Sequence, residues 1–217
     1  APAPGVWEPT PPANAPFFAP WLGQVRPMLL ASPTQFRPGP PPALTSGRYT
    51  TDFAEVKALG AKFGSSRTAE QTETALFVSD TGIGPFQAAL RDLAARHAMD
   101  ISDTARLFAA VDMSVTDAVI AVWDSKYHYG YWRPITAIRL ADTDGNPDTD
   151  ADPTWEPLFA TPPYPDYVSG YTGVVGAMTG SISRILGGGQ VDLYITSAAA
   201  GVTRHYVTAS ALNQDAI

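Results

Sequence analysis

Apolar residues recur at three- and four-residue spacing through "TDFAEVKALGAKF", "RTAEQTETALFVSD", "PFQAALRDLAARHAM" and "SDTARLFAAVDMSVTDAVIAVWDSKY", which predicts helices from about residue 50 to 130. Thr51, Thr68 and Ser102 stand where N-caps are expected. The same patterning resumes in "SGYTGVVGAMTGSISRILG" and in "VDLYITSAAAGVTRHYVTAS", so residues 169 to 217 are also read as packed helices. Between the two blocks, residues 139 to 168 are rich in Pro, Gly and Asp and read as a loop. No internal repeat is visible. The pattern predicts an all-α fold, a helical bundle, with no period-two segment competing.

The first part of the chain breaks this pattern. Of the 21 prolines, 13 lie in residues 1–42, which rules out regular helix there. Trp7, Phe17, Phe18, Trp21 and Phe36 argue against a solvated linker. The expectation is a single domain, 1–217, in which a proline-rich arm (1–49) packs on a helical body (50–217).

Composition narrows the function classes. A chain of 217 residues, 45% hydrophobic and 16% charged, is long enough for a core and too apolar to be disordered. A net charge of −7 argues against nucleic acid or anionic membrane as a partner. The apolar run "VTDAVIAVWDSKY" is interrupted by Asp124 and Lys126, so no transmembrane segment is expected. With no cysteine there is neither disulfide nor thiolate chemistry. The opening "APAPG" would suit a mature terminus after leader cleavage, which makes secretion the expected localisation.

The chemistry-bearing residues are few. From residue 126 onward the basic residues are Lys126, Arg133, Arg139, Arg184 and Arg204. Lys126 and Arg133 lie about two helical turns apart, roughly 10 Å along an axis, with Pro134 ending or kinking the helix. Such a pair can grip one tetrahedral oxyanion, Arg133 as a fork and Lys126 as a point charge. Taken alone, a solvated lysine and a helix-capping arginine explain it more simply. Ser169 and Gly170 open a helix whose free N–H groups favour an anion, although Ser-Gly is also an ordinary cap. His97 reads as a surface or capping residue of an amphipathic helix, His128 points away from Lys126, and His205 is rotated away from Arg204 if both are helical. The loop "DTDGNPDTDADP" suggests calcium, but it lacks the distal glutamate of an EF-hand, and solvent turns explain it more cheaply.

Together, "KYHYGYWRP", "YVSGYTG" and "TRHYVTAS" resemble, in order, the three-part signature of the vanadium-dependent haloperoxidase and type 2 phosphatidic-acid phosphatase superfamily. "LTSGRYTTDFAEVKALG" and "RPITAIRLADTDGNPDTDADPTWEPLFATPPYPDY" resemble its soluble bacterial branch. The resemblance implies a helical bundle of the haloperoxidase and acid-phosphatase type. It also implies an anion cradle of Lys126, Arg133, Ser169, Gly170 and Arg204, able to hold vanadate or phosphate. Two departures stand out: the histidines expected in the second and third elements fall on Tyr171 and Ser210. A phenol shuttles protons poorly at neutral pH, and a serine hydroxyl does not replace an imidazole ligand. The expectation is therefore a degenerate haloperoxidase- or phosphatase-like protein, without a metal site or resident cofactor, that keeps its oxyanion cradle for a binding, assembly or structural role with a protein partner or a second copy. A repurposed enzyme using Tyr171 as a hydrogen-bond donor, or a still active one, is the alternative.

Overall fold

The computed structural model describes residues 3–217; Ala1 and Pro2, with which the arm and the leader-cleavage reading begin, lie outside the described residues. The chain resolves into two compact units. The first comprises the described residues through Val25, Pro33–Arg67 and Ile120–Ser169; the second comprises Arg26–Ser32, Thr68–Val119 and Gly170–Ile217.

In the first unit, helix α1 (Gly47–Gly60) starts at Ser46, whose hydroxyl accepts from the Tyr49 amide at 3.2 Å, five residues before the expected cap at Thr51. Its buried face, Tyr49 and Phe53, packs with Ile135 and Ile138 of the short helix α5 (Pro134–Arg139) and with Trp132 and Trp155. The arm is irregular, as its prolines dictate, apart from a 3-10 turn at Leu22–Gln24. It is held by backbone pairing across Val6 and Tyr131 and by Arg37, which forks onto Asp124 with two 2.8 Å bonds. Gly23 fits only because it lacks a side chain: a Cβ there would meet the Asp124 backbone nitrogen at 2.5 Å.

The second unit is built on helices α2 (Ala69–Asp80), α3 (Ile83–Arg96) and α6 (Gly170–Leu186). Helix α4 (Ile101–Tyr129) is divided between the two units at Val119. Thr68 and Gln71 form a complete capping box at the start of α2, worth about 1 kcal/mol. Asp100, not Ser102, caps α4, its carboxylate accepting from the Asp103 amide at 2.8 Å. Helix α3 buries Phe86, Ala89, Leu90, Leu93 and Ala94, the spacing of a single apolar stripe, against Met178 and Ile182 of α6 and Val191, Leu193 and Ile195.

Those last residues correct the helical reading of 190–208. Gln190–Ser197 (β1) and Val202–Thr208 (β2) form an antiparallel hairpin, followed by helix α7 (Ala209–Asp215). Gly187, Gly188 and Gly189 all take positive φ, which ends α6, and Val191, Leu193, Ile195 and Ser197 alternate onto the core. Asp80 secures the turn, its carboxylate accepting from the Ala198 amide at 2.6 Å and the Ala199 amide at 3.1 Å. No helix among the described residues is long and apolar enough to cross a membrane.

Candidate functional site

Lys126 sits in the last turns of α4, which Gly130 terminates at φ +54 by returning its amide to the Lys126 carbonyl. Four residues later Pro134 holds Arg133 in extended backbone (φ −85, ψ 154), so Arg133 stands at the N-cap of α5. The two cations meet the "YPD" stretch of the loop. Lys126 Nζ donates to the carbonyls of Pro165 and Asp166, both at 2.7 Å. Arg133 Nε donates to the Tyr164 carbonyl and Nη1 to the Asp166 carboxylate, each at 2.6 Å. The Tyr164 ring underlies both, 5.0 Å from Lys126 Nζ and 4.6 Å from the guanidinium carbon, and leans on Trp123.

The site is buried: Lys126 is 1% exposed and Arg133 9%. Burial, reinforced by the adjacent guanidinium and opposed by Asp166, pulls the Lys126 ammonium down to about 7. Arg133 Nη2 is buried without a hydrogen-bond partner among the described residues. Two cationic groups thus lie near one carboxylate, which Arg133 alone bonds, and among the described residues Nη2 of the arginine has nothing to donate to. That donor set fits a further oxyanion, because a buried guanidinium nitrogen left unpaired costs free energy that an anionic acceptor restores.

The remaining residues of the expected cradle are placed differently. Ser169 is exposed, directly before α6, and is already engaged; Gly170 is the first residue of α6. Arg204 lies on β2 and not on a helix, and its guanidinium is consumed inside the second unit. Nη1 bonds Asp215 at 2.9 Å, Nη2 bonds Glu73 at 3.0 Å and Thr74 at 2.9 Å, and the group stacks 4.6 Å over Phe77. Two carboxylates balance it within the second unit. Tyr171, the second residue of α6, packs its ring near Phe86 and shares a 3.1 Å hydrogen bond with the Thr81 hydroxyl. Burial pushes its phenol up from the ordinary tyrosine range, so it stays protonated. Ser210 is exposed near the start of α7.

Several groups went unnoticed in the sequence. Tyr164 and Asp166 complete the cation pair across 31 to 40 residues, and "PPYPDY" reads only as turn chemistry. His97 and His205, which sequence reasoning did not connect, converge on one carboxylate: their Nε2 atoms lie 2.8 Å from the two oxygens of Asp192, which Arg96 also binds. The acidic loop uses its side chains in turns. Asp144 accepts from the Asn146 amide and the Thr149 hydroxyl, and Asn146 reaches the Leu44 carbonyl and Thr50. Among the described residues no group of three or more His, Asp or Glu is arranged to hold a metal ion.

The family model for the VCPO second helical-bundle domain matches residues 106–214, half of the chain. The chain belongs to this family, within the vanadium haloperoxidase superfamily. It is similar to the vanadium chloroperoxidase of Curvularia inaequalis, 38% identical over 97 residues that make up 40% of this chain and 15% of that protein. Among solved structures it resembles the first bacterial vanadium-dependent iodoperoxidase, with a TM-score of 0.78 and 24% identity, over 100% of this chain and 54% of that one. An apo-type bacterial vanadium-dependent chloroperoxidase gives a TM-score of 0.67 at 16% identity, over 99% and 54% of the respective chains. These likenesses show the fold. The chain spans about half the length of the solved structures it matches.

Proposed function

We propose that this chain is an oxyanion-binding member of the vanadium haloperoxidase superfamily, in which Lys126 and Arg133 hold phosphate or vanadate, and that it binds the anion without turning over substrate by its relatives' chemistry. The observation that carries this reading is the unpaired, buried Nη2 of Arg133 beside an equally buried Lys126. Phosphate and vanadate share what the pair recognises: a compact tetrahedron of charged oxygens, gripped by a guanidinium fork and a point charge.

The absence of turnover rests on Tyr171 and Ser210, which supply no imidazole. Tyr171 keeps its proton because burial raises its pKa, so it can donate but not accept at neutral pH. Ser210 offers only a solvated, unactivated hydroxyl. Arg204, part of the cradle implied by the family signature, is left out of the proposed grip because Glu73 and Asp215 neutralise it.

Calorimetric titration with orthophosphate and orthovanadate tests the proposal. Saturable binding is expected. Arg133→Lys, which keeps the charge and loses the fork, should weaken it about tenfold, consistent with one lost charge-assisted hydrogen bond. Addition of vanadate, peroxide and bromide should give no bromination above background. Sustained bromination by the unmodified chain would defeat the non-catalytic reading, and unchanged affinity in Arg133→Lys would remove Arg133 from the site.

A further inference from the structure

The first unit contains a cavity of about 330 Å³ that neither Lys126 nor Arg133 lines. One wall is made where residues 60–62 run antiparallel to 156–158: the Lys62 amide donates to the Glu156 carbonyl at 2.8 Å and the Leu158 amide to the Gly60 carbonyl at 3.0 Å. Ile135 of α5 contributes apolar surface, as do Leu158, Phe159 and, from the arm, Pro12. Arg139, the last residue of α5, also lines the cavity. Its Nε is fixed on the Trp155 carbonyl at 2.9 Å, and among the described residues nothing accepts from Nη1 or Nη2.

The charges around this cavity are unbalanced. Lys62 and Glu156 face each other at 3.5 Å and largely cancel, leaving Arg139 as a cation without a counter-ion. A guanidinium held by Nε and open at its two Nη atoms is geometrically suited to a bidentate carboxylate. The apolar walls select the rest of the ligand, because a bare inorganic anion would leave them unused. The volume lies at the lower end of the range for small-molecule sites, on the order of 300–1,000 Å³.

We infer that this cavity is a binding site for a small organic carboxylate with a compact apolar body, its carboxylate on Arg139 and its body against Ile135, Leu158 and Phe159. The site is separate from the oxyanion grip and stands or falls independently of it.

Titration of the intact chain with 3-phenylpropionate, followed by calorimetry and ¹⁵N chemical shifts, tests the inference. Saturable binding is expected, with shifts centred on residues 135–139 and 156–161. The neutral analogue 3-phenylpropan-1-ol should bind about tenfold more weakly or worse, the loss expected for one charge-assisted contact. Arg139→Gln should show the same loss. Because that change also touches the bond to Trp155, Ala160→Trp serves as a second variant: Ala160 is an exposed cavity-lining residue, and an indole there fills the space while sparing Arg139. Binding should be abolished in it. Orthovanadate should not displace the ligand. The inference is overturned by absence of saturable binding, by wild-type affinity in Ala160→Trp, or by competition with orthovanadate, which would place the carboxylate on Lys126 and Arg133 instead.

Discussion

Two clusters of charge, one in each unit, are balanced in opposite ways. In the second, Arg204 takes two carboxylates, and Asp192 takes Arg96 and two imidazoles. In the first, Lys126 and Arg133 are met mainly by backbone carbonyls, and of the two only Arg133 bonds a carboxylate, that of Asp166. Carbonyl dipoles satisfy hydrogen bonds but do not cancel a net charge. A neutralised cluster is therefore a fastening, whereas an uncancelled one retains the capacity to bind a counter-ion. This distinction separates Arg204 from Lys126 and Arg133, although family resemblance groups all three.

The largest effect is expected at Asp117, a second-unit carboxylate held by backbone amides. Its carboxylate is 2% exposed and accepts from the amides of Met28, Leu29 and Leu30 at 2.7, 2.6 and 2.8 Å, pinning Arg26–Ser32 within the second unit. Asp117→Ala leaves three donors without their charged acceptor. Water can reach part of that strand of the arm, since Met28 and Leu29 are themselves exposed, so the expected loss is about 2–4 kcal/mol. Chemical denaturation would measure it, and hydrogen exchange should show the amides of residues 28–30 released first. A change below about 0.5 kcal/mol, the usual range for surface substitutions, would mean that the latch is ornamental.

In the first unit the corresponding test is pH. With its pKa near 7, Lys126 goes from mostly charged to mostly neutral between pH 6 and 8. Sulfate, whose charge is constant over that range, should bind about tenfold more weakly at the higher pH, and Lys126→Met should bind weakly throughout. Stability should move the other way. Because the folded-state pKa lies below the unfolded value of about 10.4, the unfolded chain holds the extra proton between them, and stability rises as pH rises from about 7 toward 10. A pH-independent sulfate affinity would show that Lys126 takes no part in the grip.

Arg204→Met sharpens the comparison from the other side. Its partners Glu73 and Asp215 are 47% and 40% exposed at their side chains, so solvent recovers part of the loss and the expected destabilisation is about 1–2 kcal/mol. Sulfate affinity should stay within about twofold of the parent, the range of a nonspecific charge effect. A tenfold loss of affinity without loss of stability would reverse the assignment and return Arg204 to the cradle.

Physical range explains which of these features could be read in the sequence. The stripe Phe86, Ala89, Leu90, Leu93 and Ala94 is visible because helix packing repeats locally, and the Thr68–Gln71 box spans only three residues. Lys126 and Arg133 could be paired from their spacing and from Pro134, because one helix end and one turn determine their geometry. The hairpin was missed because "VDLYITS" is short and "SAAAG" favours helix in isolation. Burial of Val191, Leu193 and Ile195 against α3 overrides that propensity. Glu73, a partner of Arg204, lies 131 residues away, and no local pattern announces such a pairing.

The smallest effect is expected at Asp192, whose side chain is 25% exposed. The residue sits at the irregular start of β1 with φ +44, a conformation that asparagine also tolerates, so Asp192→Asn removes the charge while sparing the backbone. Burial alone would raise the carboxyl pKa, but hydrogen bonds from His205 and His97, together with Arg96, hold it far below the ordinary carboxylate range. With the folded value depressed, its contribution is complete above the unfolded pKa of about 4 and is lost as pH falls below it. The parent should therefore lose stability between about pH 4 and pH 2 more steeply than Asp192→Asn, a difference readable in thermal melts across that range. Equal slopes would show that the two histidines and Arg96 gather at Asp192 without holding the hairpin to α3.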